Sequence, residues 1–170
     1  MGAGKTSVLG EASDILARRD VVHAAIDLDA FGLAHIPSAS SNDGVMYLNL
    51  HSVCENYVSL GVKRLLLARA VESHAELELC CSAVSAKGVV VCRLTASVGT
   101  MEQRIKNREL GISQREYVVR AAKLNYLLDR AQLENFTVSN ENRPLSEVAY
   151  EMLLKARWIS EGHTDNLEKL

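Results

Sequence analysis

Met1-Gly2-Ala3-Gly4-Lys5-Thr6-Ser7 opens the chain, and an amphipathic run over 5–19 follows without a break. Small residues ending in Lys-Thr let backbone N–H groups turn inward around an anion. A helix starting at that point aims its unpaired N–H groups and positive dipole end at the same place. Val8, Leu9, Ala12, Ile15 and Leu16 fall near one face of the expected helix, the spacing of an amphipathic element.

The opening matches the latter part of the pattern G-x-x-x-x-G-K-[ST], a loop that cradles phosphates. On this reading Gly2, Ala3, Gly4, Lys5, Thr6 and Ser7 bind a nucleotide. Lys5 reaches the terminal phosphates and the Thr6 hydroxyl sits on Mg2+. The first glycine of the pattern, and the strand that feeds the loop, would stand ahead of Met1. The expectation is therefore a natural protein that begins about ten residues earlier. Without that strand, its neighbours in the sheet would lose a hydrogen-bonding partner.

Beyond the loop the chain alternates. Apolar β-rich runs at 21–28, 62–68 (VKRLLLA), 88–94 (GVVVCRL) and 136–139 predict strands. Helices are predicted at 45–60, 72–84, 97–109, 114–133 and 144–158, with Gly61 in the C′ position and Pro144 in the first turn of the last. The segment 31–44, with Pro37, serines and two glycines, predicts mostly loop. Strands apolar on both faces and separated by helices imply an α/β domain. The expected form is a three-layer parallel sheet with helices on both faces. The domain is read as 1–159, with a polar, frayed tail at 160–170. Ligands of such sheets gather at the carboxyl ends of the strands.

Charge and composition narrow the function. A net charge of −2 gives no support to nucleic-acid or membrane-surface binding. No run approaches the roughly 20 apolar residues that span a bilayer. Cys54, Cys80, Cys81 and Cys92 match no common zinc spacing. Packed, reduced thiols and a cytoplasmic location are expected.

Ile26-Asp27-Leu28-Asp29 places two carboxylates at a strand end, with Leu28 between them pointing the other way. One of them is suited to hold Mg2+ through water, and the other to accept the proton of a substrate hydroxyl. A solvated strand end with Asp29 as a cap is the other reading. At this point the chain resembles the P-loop small-molecule kinases, the group that includes shikimate, gluconate and adenylylsulfate kinases. Asp27-Leu28-Asp29 looks like the Asp-x-Asp motif of shikimate kinase. The glycine-rich segment that shikimate kinase carries after its third strand is absent here.

The resemblance implies ATP and Mg2+ as cofactors and a small-molecule substrate. It makes Thr6 and Asp27 the metal residues and Asp29 the substrate carboxylate. A locally basic stretch follows, with Arg104 and Arg108 four apart on one helix side. By resemblance, Arg104 would lie along adenine and Arg108 would bind phosphate. A lid at about 109–120, hinged near Gly111 and Ser113, would bring in Arg115 or Arg120. Arg69, after the third expected strand, would contact substrate. The other reading is surface charge paired with Glu102, Glu109 and Glu116 for the arginines at 104–120, and for Arg69 a residue that simply starts the next helix. Two further functions stay open: a nucleotide-binding regulatory partner without transfer activity, and an inactive fragment.

Overall fold

The computed structural model describes residues 2–32, 43–108 and 113–161. His35 and Pro37, the lid's first four residues with Gly111, and residues 162–170 of the expected tail lie outside the described residues.

Helix α1 spans Lys5–Arg18 and strand β1 Ala24–Asp27, followed by a 3-10 helix over Leu28–Gly32. Then come α2 (Asp43–Ser59), β2 (Leu65–Ala68), α3 (His74–Ala83), β3 (Cys92–Thr95), α4 (Val98–Arg108), α5 (Ser113–Ala131), β4 (Phe136–Ser139) and α6 (Leu145–Lys155). The segment expected as loop at 31–44 thus begins in the 3-10 helix and ends in α2, which starts two residues earlier than periodicity indicates.

The strands form two parallel pairs. Ala24 lies opposite Leu65 through to Asp27 opposite Ala68, and Cys92 opposite Phe136 through to Thr95 opposite Ser139. Parallel pairs need crossover connections, and α2 and the stretch α4–α5 supply them. The fold is mixed α/β with six helices among the described residues. β2 pairs only with β1 there, and β3 only with β4.

All four strands are four residues long, and three are shorter than their apolar runs. GVVVCRL shows why. Pairing begins only at Cys92, and Val89 and Val90 stand 45% and 52% exposed. Asn135 ends the ladder there, its N–H donating to Val91 O and its Oδ1 accepting from Val91 N–H. Among the described residues, 88–90 therefore have no strand to pair with, and apolar content alone does not make a ladder. Pro144 is the N-cap of α6 rather than part of its first turn, because its ψ of 139° is extended.

Two clusters form the core. Val8, Ala12 and Leu16 of α1, at i, i+4 and i+8, pack with Val138 of β4 and with Val148, Ala149 and Leu153 of α6. Leu66 of β2, Cys92 and Leu94 of β3, and Trp158 pack against the same group. The second cluster joins Ile26 and Leu28 to Met46, Leu50 and Cys54 of α2 and Cys80 of α3. All four cysteines are free thiols. Burial pushes the Cys92 thiol up to about 12. No helix among the described residues is long and apolar enough to cross a membrane. Gly61 takes φ 86° past the end of α2, and Val62 N–H donates to Tyr57 O, the cap expected of a C′ glycine.

Candidate functional site

α1 starts from two left-handed glycines, Gly2 at φ 77° and Gly4 at φ 92°. An L side chain rarely adopts either conformation. Space forbids one as well: a Cβ on Gly2 would lie 2.7 Å from Met101 O, and one on Gly4 2.2 Å from Asn140 Nδ2. No side chain caps α1 and its first turn holds no acidic residue. The first-turn N–H groups, which lack intrahelical acceptors, therefore form a positive end with no local carboxylate to offset it.

The carboxylates come instead from the end of β1. Thr6 Oγ1 donates to Asp27 Oδ2 at 2.5 Å, and Asp29 N–H donates to Asp27 Oδ1 at 3.2 Å. Lys5 Nζ lies 3.9 Å from Asp29 Oδ2. Asp27 is the last residue of β1, but Asp29 belongs to the 3-10 helix. The expectation that strand alternation aligns the two is thus corrected. The Asp27 hydrogen bond to the Asp29 amide curls the chain, and buried Leu28 points into the core.

Arg69, just past β2, approaches the other Asp29 oxygen at 3.5 Å. Glu76 orients it, Oε1 accepting from Arg69 Nε at 2.7 Å and lying 2.6 Å from Nη2. Burial is the largest influence on Arg69 and works against its charge, but the Glu76 hydrogen bond together with the negative charges of Glu76 and Asp29 and the Tyr47 hydroxyl holds the guanidinium above its ordinary value. Glu76 Oε2 also accepts from Glu72 N–H at 2.8 Å, while Ser73 Oγ caps α3 at Glu76 N–H. An open pocket of about 430 Å³ continues along the 3-10 helix, lined by Ala30, Phe31, Asn49, Ser52 and Val53.

Across the loop, Arg104 of α4 donates to Gly2 O at 3.3 Å and to Asn140 O at 3.0 Å. Asn140, 4% exposed, donates through Nδ2 to Ala3 O at 2.8 Å. Arg108 is exposed in the last turn of α4, and Arg115 and Arg120 are exposed on α5. Arg115 and Arg120 share no hydrogen bond or ion pair with the Lys5–Asp29 group among the described residues. Ser113, read as a hinge, is the first residue of α5. His51 contacts Ala83 O at 3.0 Å and Glu55 at 3.5 Å, between α2 and α3.

The structure thus gathers the 2–7 loop, Asp27, Asp29, Arg69 and Arg104 at the carboxyl ends of β1 and β2 and beside the tips of β3 and β4. Sequence reasoning missed the side-chain roles of Glu76, of Asn140 and of Glu141, which accepts hydrogen bonds from Ser97 and Thr100 at the start of α4. The Ser73-His74-Ala75-Glu76 spacing is a helix-start signal that would have found Glu76. Asn140 and Glu141 leave no local signal, because their partners are distant in sequence. Among the described residues no group of three or more His, Cys, Asp or Glu gathers to hold a metal. The Thr6 hydroxyl and the Asp27 carboxylate are two adjoining oxygen donors. That set suits Mg2+, which keeps several waters and takes few protein ligands. No protein-family model matches this sequence, and no curated protein matches it.

Proposed function

We propose that this chain binds ATP with Mg2+ and transfers a phosphoryl group to a small hydroxylated or phosphorylated metabolite. One observation carries the reading. Two left-handed glycines turn the chain into the start of α1, and Lys5 and Thr6 stand against Asp29 and Asp27. The first-turn amides and the Lys5 ammonium bind phosphate oxygens, replacing the Asp29 contact. Thr6 and Asp27 hold Mg2+, which neutralises phosphate charge when bound. Asp29 orients the acceptor hydroxyl and takes its proton as the oxygen joins phosphorus and the bond to the leaving diphosphate breaks. Arg69, fixed by Glu76, faces the acceptor side, and the pocket along Phe31 and Asn49 seats it. Arg108 meets phosphate, and Arg115 or Arg120 arrives with the lid.

The resemblance to P-loop kinases supports a finer architecture too. A fifth parallel strand between β2 and β3 would join the pairs into one sheet with helices on both faces. A cytoplasmic location belongs to the same proposal. The exposed positions of Arg115 and Arg120 favour a second reading, a nucleotide-binding partner without transfer.

Calorimetry with Mg-ATP, followed by transfer assays over a metabolite panel, tests the proposal. Binding that weakens at least about tenfold in Lys5→Met, the loss of about 1.4 kcal/mol, together with transfer to an acceptor, supports it. Binding without transfer moves the function to the second reading. No binding to the wild-type chain overturns both and leaves the inactive fragment.

A further inference from the structure

We propose that Asn140 and Arg104 are positioning residues that hold the 2–7 loop in its anion-binding shape. This rests on the loop being a phosphate site. A peptide loop presents its N–H groups to an anion only when its carbonyls turn away. Here the carbonyls of Gly2 and Ala3 each meet a side-chain donor. Asn140 Nδ2 holds Ala3 O at 2.8 Å, and Arg104 holds Gly2 O at 3.3 Å. The donors are themselves fixed. Asn140 N–H donates to Thr95 O at 2.8 Å, anchoring the residue to the tip of β3. The second arm of Arg104 reaches Asn140 O at 3.0 Å, so one guanidinium spans the loop and the strand tip.

The residue types follow from the geometry. Asn140 is the one polar residue in the buried set among the described residues. An aspartate there would set oxygen against the Ala3 carbonyl oxygen. Its amide lies 2.2 Å from where a Cβ on Gly4 would fall, so the loop comes this close to Asn140 only with glycine there. Arg104 therefore acts on the loop backbone, through which it reaches phosphate, rather than by lying along a base.

The experiment compares wild type with Asn140→Asp, Arg104→Met and Arg104→Lys. Backbone hydrogen exchange without ligand is read first, then affinity for Mg-ATP and for Mg-pyrophosphate, which has phosphates and no base. The expected result is exchange at the Val8 amide, which donates to the loop carbonyl of Gly4, at least tenfold faster in Asn140→Asp and Arg104→Met, with α6 unchanged. Affinity for pyrophosphate falls as far as affinity for ATP, and Arg104→Lys recovers part of both. Unchanged loop exchange overturns the proposal, as does a loosened loop that binds both ligands normally. A loss confined to ATP also overturns it, because Arg104 would then be reading the base. If Asn140→Asp does not fold, the half-buried Arg104→Met decides alone. A wild type that binds neither ligand defeats the nucleotide reading, and pairing faster loop exchange with lost affinity then fails with it. Binding by wild type together with failed variant predictions defeats only the clamp.

Discussion

Glu141 holds three groups at the start of α4: the Ser97 amide, the Ser97 hydroxyl at 2.7 Å and the Thr100 hydroxyl at 2.6 Å. The Thr100 hydrogen bond, then those from Ser97, keep its carboxyl below the usual glutamate range. A depressed folded value stabilises the protein above the unfolded value, and the contribution is lost as pH falls through the folded one. Glu141→Gln should therefore melt below wild type near pH 7, and the gap should close below about pH 4, where free glutamate protonates. Melting temperatures at pH 7, 5 and 3 check it; a constant gap would refute the charge argument. At this scale Gly2, Gly4, Lys5 and Thr6 were legible because their task is local, a turn running into a helix. Asn140 was not, since the carbonyl it serves belongs to Ala3, 137 positions away. A single Asn after a strand carries no mark of that.

The helices were legible to within about three residues at most ends, because caps and periodicity write their limits into neighbouring positions. Ser73 and Gly61 did so. The strands were overextended, because a ladder stops where its partner stops, and the partner lies elsewhere in the chain. Arg93 shows how one strand holds a helix. Only 12% exposed, its Nη2 reaches Asp129 at 2.6 Å and Asn125 at 3.0 Å on α5, with Glu134 at 3.5 Å from Nη1. Arg93→Met should cost about 1–2 kcal/mol, a range kept low because Asp129 is exposed to solvent screening. Urea unfolding reads the loss. Exchange at the α5 amides should rise more than exchange at α6, and equal rises would argue against a local tether.

Over the whole molecule, the two strand pairs leave β2 and β3 each with one edge that has no partner strand among the described residues. Leu66 and Leu94, one on each, pack against the same core cluster of α1, β4 and α6. An extended apolar segment of four or five residues, about 3.3 Å per residue, matches these ladders in length. Fusing such a segment ahead of Gly2 should raise the melting temperature and slow exchange at 65–68 and 92–95. Unaltered exchange at those amides would count against a place for it there. This part of the fold was only half legible. Alternation of element types announced α/β, but which strands pair is a property of distant partners.

α1 precedes β1 in the chain, yet Val8, Ala12 and Leu16 are buried against β4 and α6. The crossing between the halves, residues 85–90, is exposed throughout. Cleavage after Lys87 would sever the polypeptide without removing any wall of either core. The second core lies wholly in the first piece, while the first core draws α1 from one piece and β4 and α6 from the other, so this protein is suited to being divided into a pair that reassembles about that shared core.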